Sequence, residues 1–94
     1  MLFAEKIRQL REEKQLFQRQ VSAYLEMDNA LYCKIERGDR QAKRELVVKL
    51  AELFDADCDD LLSLWLADKV IDAVKDEREL MDKVLIIVKE NIKK

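Results

Sequence analysis

Apolar positions repeat at helical spacing almost from the first residue. Leu2, Phe3, Ile7 and Leu10, with the stem of Lys14, share one face; Glu5, Lys6, Arg8, Arg11 and Glu12 fill the other. This predicts an amphipathic helix of about three turns. The stretch "KQLFQ" interrupts the pattern. "QRQVSAYLEM" resumes it, with Val21 and either Tyr24 or Leu25 inward, and predicts a helix from about Gln18 to Glu26. A third helix over 28–37 opens at Asp28, a favourable N-cap residue, and turns Leu31, Tyr32 and Ile35 inward. Gly38 follows Arg37 at the position of a left-handed C-cap, which only glycine adopts without a steric penalty.

The clearest periodicity lies in "AKRELVVKLAELF", with Leu46, Val47, Leu50, Ala51 and Phe54 on one side. Asp57 or Asp59 can cap the next helix, "DDLLSLWLADKVIDAVK", and Asp76 a last one over 77–92. That last helix carries two apolar rows. One comprises Met81, Leu85, Val88 and Ile92, the other Leu80, Val84 and Ile87. One row can cover the chain's own core; the second needs another surface, and a twin subunit is the simplest source. The pattern as a whole reads as all-α, five or six helices joined by short loops.

Composition agrees. The 94 residues include no Pro and one Gly, which leaves little material for tight hairpins. A hydrophobic fraction of 49% supports a core, and 40% charged residues give a solvated surface. Charge interrupts the opening "MLFAEKIRQL" too early for a signal-peptide core, and no apolar run approaches a membrane span, so a cytoplasmic protein is the expectation. Cys33 and Cys58 do not form a Cys-x-x-Cys pair and histidine is absent, so no zinc site, and no other cofactor, is expected. Without histidine or a Gly-rich phosphate loop, and with carboxylates spread along helix faces, an enzyme is not expected either.

Charge is unevenly placed. Residues 1–54 carry 11 Lys/Arg against 9 Asp/Glu, whereas residues 55–94 carry 7 against 11. Five basic residues and two acidic ones lie between Lys34 and Arg44. A basic patch on an acidic chain suggests one polyanion-facing surface.

At this point the chain resembles the Cro/repressor-type, or xenobiotic-response-element, helix-turn-helix regulators. The resemblance runs from about Phe3 to Leu62. It rests on "IRQLREEKQLFQRQVSAYL" for the first two helices, "LYCKIERGDR" for the third and its exit, and "LVVKLAELFDADCDDLL" for the closing pair. Ile35-Glu36-Arg37-Gly38 with Gln18 upstream is the most specific piece. Three positions depart from the family pattern: Glu26 stands where the turn usually has Gly, Gln41-Ala42-Lys43 replaces a common Pro, and Tyr32 replaces an aliphatic core residue.

The resemblance implies a five-helix DNA-binding domain over 1–62 and a C-terminal helical extension over 63–94. It also implies a regulator that binds double-stranded DNA at an inverted repeat as a homodimer, with helix 28–37 in the major groove. Asn29, Ala30, Cys33 and Lys34 match base-reading positions: Asn to adenine, Lys to guanine, Ala to a thymine methyl. Gln18 and Arg19 at the start of the second helix, and Arg37, Arg40, Lys43 and Arg44 around the exit loop, are expected on phosphates. Glu36 is expected to pair with Arg11, and Leu80, Val84 and Ile87 to form the dimer contact. The tail also looks like that of small bacterial regulators that accompany DNA-modification genes. A second reading, from another class, is a protein-interaction module such as the antitoxin of a toxin–antitoxin pair, docking through its tail.

Overall fold

The structure is a computed structural model that describes residues 1–93. It contains α1 (Leu2–Glu13), α2 (Gln18–Tyr24), α3 (Asn29–Glu36), α4 (Arg44–Phe54), α5 (Cys58–Val74), a 3-10 turn at Arg78–Leu80, and α6 (Met81–Ile92). No strand occurs among the described residues. The fold is all-α, and no described helix is long and apolar enough to cross a membrane.

α1 through the first half of α5 enclose one core. Ile7, Val21, Tyr32, Val47, Leu50, Phe54 and Leu61 are its largest fully buried side chains. Each removes apolar surface worth about 1.5–3 kcal/mol from water, so these residues supply a large share of the drive to fold. On α1 the inward residues are Phe3, Ala4 and Ile7, while Leu2 is exposed and Leu10 only half-buried. On α2 Leu25 points inward and Tyr24 outward.

Helix ends show how the short connections close. α1, α2, α3 and α4 each finish in a Schellman arrangement, where two backbone N–H groups reach back to the last turn. For α3 these are Gly38 to the Ile35 carbonyl at 3.0 Å and Asp39 to Lys34 at 2.9 Å. Gly38 supplies the left-handed residue there, with φ +83°. A Cβ on it would also lie 3.2 Å from Met1 Sδ. The other three ends use Gln15, Glu26 and Asp55 at φ 56°, 54° and 51°. A side chain in that conformation costs roughly 1–2 kcal/mol, so three of the four turns are strained.

Two expected caps differ. Asp28 has the extended backbone of an N-cap, but its side chain accepts no hydrogen bond. Asp76 caps nothing: the chain passes through the 3-10 turn and α6 begins only at Met81, with no side-chain cap. Asp57 does cap α5, accepting from Asp60 N–H at 3.0 Å.

An unforeseen cap joins distant parts of the chain. The backbone N–H groups of Leu2 and Phe3 each donate to the Asp68 carboxylate at 2.9 Å. The free N–H groups and positive dipole end of α1 thus receive an acid from α5.

The expectation that one row of the last helix covers the core is not met. No residue of α6 is buried: Met81, Val88 and Ile92 of one row are exposed, as are Leu80 and Ile87 of the other, with Val84 and Leu85 half-buried. α5 is about 25 Å long at helical rise, so it carries α6 away from the globule. The radius of gyration, 15.2 Å, accordingly exceeds the roughly 12 Å of a compact chain this size.

Candidate nucleic-acid interface

α2 and α3 meet across the turn that pivots on Glu26, and the face they present is organised by one ion pair beneath it. Arg11 Nε donates to both Glu36 carboxylate oxygens at 3.1 and 3.0 Å, and Nη2 donates to Oε1 at 2.7 Å. Arg11 Nη1 donates to the Leu16 carbonyl at 2.8 Å. The side chains are 14% and 2% exposed, so this is a buried pair joining α1 to α3. Burial alone would raise the Glu36 carboxyl. Hydrogen bonding from Arg11, the approach of Tyr32, the Arg11 charge and Gln18 outweigh it and hold Glu36 below the usual carboxylate range. The buried Tyr32 hydroxyl has no partner in hydrogen-bond geometry. Burial first, and then the neighbouring Glu36 carboxylate, push it well above the usual phenol range.

Gln18 belongs to the same cluster. Its Nε2 donates to Glu36 Oε1 at 3.3 Å, and its Oε1 accepts from the Cys33 thiol at 3.1 Å. The amide is therefore turned onto α3, and Cys33 is half-buried beneath it rather than facing outward. Asn29, Ala30 and Lys34 are exposed on the outer face of α3. Asn29 is also held in place: its Oδ1 accepts from Ser22 Oγ at 3.0 Å, which leaves its amide N–H groups free.

The basic exit loop is fastened from behind. Trp65 Nε1 donates to the Ala42 carbonyl at 2.9 Å, and Lys69 lies 3.7 Å over the Trp65 ring. Ala42 is buried, while Arg37, Arg40, Lys43 and Arg44 are exposed around it. Arg37 pairs with Asp39 at 3.1 Å. At the other side of the face Arg19 stacks on the exposed Phe17 ring, 5.2 Å from its centroid. Gln20 accepts from the Phe17 N–H at 2.7 Å and sets the entry into α2.

Sequence reasoning missed Arg8. With Arg11, Gln18, Glu36 and Arg37 it lines a polar cleft of about 350 Å³ beside the start of α2. Its spacing three residues before Arg11 was the available signal. Leu80, Val84 and Ile87 are not part of this face; they lie on the tail, remote from the core.

A family comparison bears on the two-helix unit itself. A helix-turn-helix domain model matches residues 2–65. The chain belongs to the helix-turn-helix domain family. The match spans α1 to Trp65 on α5, so this helix-turn-helix domain includes both residues that close the back of the basic loop, Ala42 and Trp65. Membership supports a DNA-binding regulator. No curated protein and no solved structure matches the chain.

Proposed function

We propose that this helix-turn-helix protein is a Cro/repressor-type transcriptional regulator that binds an inverted-repeat operator as a homodimer. α3 would enter the major groove and α2 cross the phosphate backbone. The observation that carries the reading is the exposed row Asn29, Ala30 and Lys34 above a buried ion-pair clamp, flanked by the basic loop. Such a clamp fixes the pose of α3 before DNA arrives, which lowers the ordering cost of binding.

Lys34 reads a guanine edge in this account, and Ala30 a thymine methyl. Ser22 Oγ holds the Asn29 carbonyl oxygen, which leaves the amide N–H groups free for a base acceptor such as purine N7 and the second lone pair of the oxygen free to accept from adenine N6. Cys33 packs below the row. Arg19, Arg37, Arg40, Lys43, Arg44 and Arg8 neutralise phosphates, and the N–H groups at the start of α2 assist. Gln18 acts there through its backbone, its amide being used by Glu36 and Cys33.

A two-fold partner follows from scale. One domain reads only a few base pairs, and pairing two half-sites about one helical turn apart is the common remedy. The largely exposed apolar rows of the tail, Leu80, Val84 and Ile87 among them, supply the contact surface. The same rows favour a second reading, a protein partner docking on the tail, as an antitoxin would use.

Selection from random duplexes followed by anisotropy titrations tests the proposal. A specific inverted repeat should emerge, with log affinity falling steeply with log salt. Lys34→Ala should cost about 1–3 kcal/mol on the best site and relax one base position, while Arg40→Ala should weaken all duplexes alike. Equal affinity for scrambled duplexes, or tight binding only to a protein, would overturn the regulator reading.

A further inference from the structure

Behind α3, between the α2–α3 turn, the exit loop and α4, lies a groove of about 330 Å³. Its floor is apolar. Leu25 and Ile35 come from the buried core, and Met27, Leu31 and Leu46 pack half-buried against that core. The floor is thus preformed by three helices rather than assembled by a mobile loop. Its charged lining is Arg40, Lys43, Lys49 and Glu45. All four side chains are exposed, and none takes part in an ion pair among the described residues. Three unpaired cations against one carboxylate, over a bare apolar floor, complement a molecule that is apolar at one end and anionic at the other.

Size narrows the class. The volume is at the lower end of small-ligand sites and takes an apolar body of roughly ten heavy atoms at the share of liquid volume a water occupies, with a charged head left at the exposed rim. That suits a short aliphatic chain or a fused ring, and is tight for the row of side chains an amphipathic helix inserts. We propose that the groove binds a small amphipathic monocarboxylate, its apolar body over Leu31 and Leu46 and its carboxylate among Arg40, Lys43 and Lys49. Arg40 and Lys43 are also placed on phosphates above, so an occupied groove withdraws two cations from DNA and weakens operator binding. The ligand site stands on the groove alone; only this coupling rests on the regulator reading.

The test uses the full chain with decanoate and naphthylacetate as probes, and decanol and acetate as controls, followed by calorimetry. At least one carboxylate should saturate at one per chain, with neither control matching it. Lys49→Gln, an exposed position outside the DNA-facing set, should weaken that binding about tenfold, the loss of one charged contact, and leave ligand-free duplex affinity unchanged. Saturating carboxylate should lower wild-type duplex affinity about tenfold, since two phosphate contacts are lost. The ligand site is overturned if neither carboxylate saturates, if decanol binds equally well, if Lys49→Gln makes no difference, or if only an acidic amphipathic peptide binds. Carboxylate binding that leaves duplex affinity untouched overturns the coupling. A wild-type protein that binds no duplex specifically overturns the regulator reading instead, and the calorimetric titration still decides the site.

Discussion

The stretch up to Leu61 and the stretch beyond Trp65 are both helical and both rich in large apolar side chains, yet they use them in opposite ways. All 13 buried hydrophobic residues lie between Phe3 and Leu61. Beyond Trp65 none of the described residues is buried, and nine large hydrophobics from Leu66 to Ile92 are exposed. Amphipathic spacing makes a helix in each region, but only the first finds surfaces to cover its stripe. An isolated helix as short as α6, with 12 residues, is marginal in water. The tail's apolar pattern therefore suits a surface outside its own globule, whereas the first region buries its apolar stripes within itself and takes from the tail the Asp68 cap on α1.

Removing the tail separates the two regions most directly. Truncation after Lys75 should leave thermal unfolding of the remaining helices nearly unchanged, because α6 adds nothing to the core. It should also yield a monomer with operator affinity lower by about a hundredfold or more, the loss expected when two linked half-site contacts become one. Sedimentation and anisotropy measure both. A truncated form that still dimerises would place the interface elsewhere.

Arg11→Ala strikes the first region alone. It leaves the Glu36 carboxylate buried and unpaired, and should cost about 3–5 kcal/mol in urea unfolding followed by Trp65 fluorescence. The oligomeric state, if built by α6, should survive in the folded fraction. Acid offers a milder probe of the same clamp. Glu36 is held below its ordinary range in the fold, so its contribution is complete above the unfolded carboxylate range and fades as pH falls through the depressed value. Glu36→Gln should remove that part of the acid limb and flatten stability against pH there.

Asp68→Ala tests the seam between the regions. It removes the acceptor at the head of α1 and should destabilise by about 1 kcal/mol, the usual worth of an N-cap. The smallest effect should be favourable. Glu26→Gly relieves a left-handed side chain at the α2–α3 turn and should raise stability by about 0.5–1 kcal/mol, the relief offset partly by added chain entropy. A loss of stability would show that Glu26 makes a contact that outweighs its strain.

What the sequence determined by itself is the part that depends on neighbours along the chain. Helical periodicity placed every helix to within a few residues, Gly38 marked the end of α3, and the clustering of Arg37, Arg40, Lys43 and Arg44 marked a basic loop. These are readable because helical spacing, left-handed strain and local charge act over only a few residues. The tertiary structure alone decided the rest. It brought Asp68 to α1, Trp65 to Ala42, and Arg8 to the cleft beside Gln18. It also turned Cys33 and the Gln18 amide toward each other and left neither row of α6 with a buried residue. Such contacts join residues as far as 66 positions apart, and a helical pattern states only that a face seeks cover, not which surface provides it.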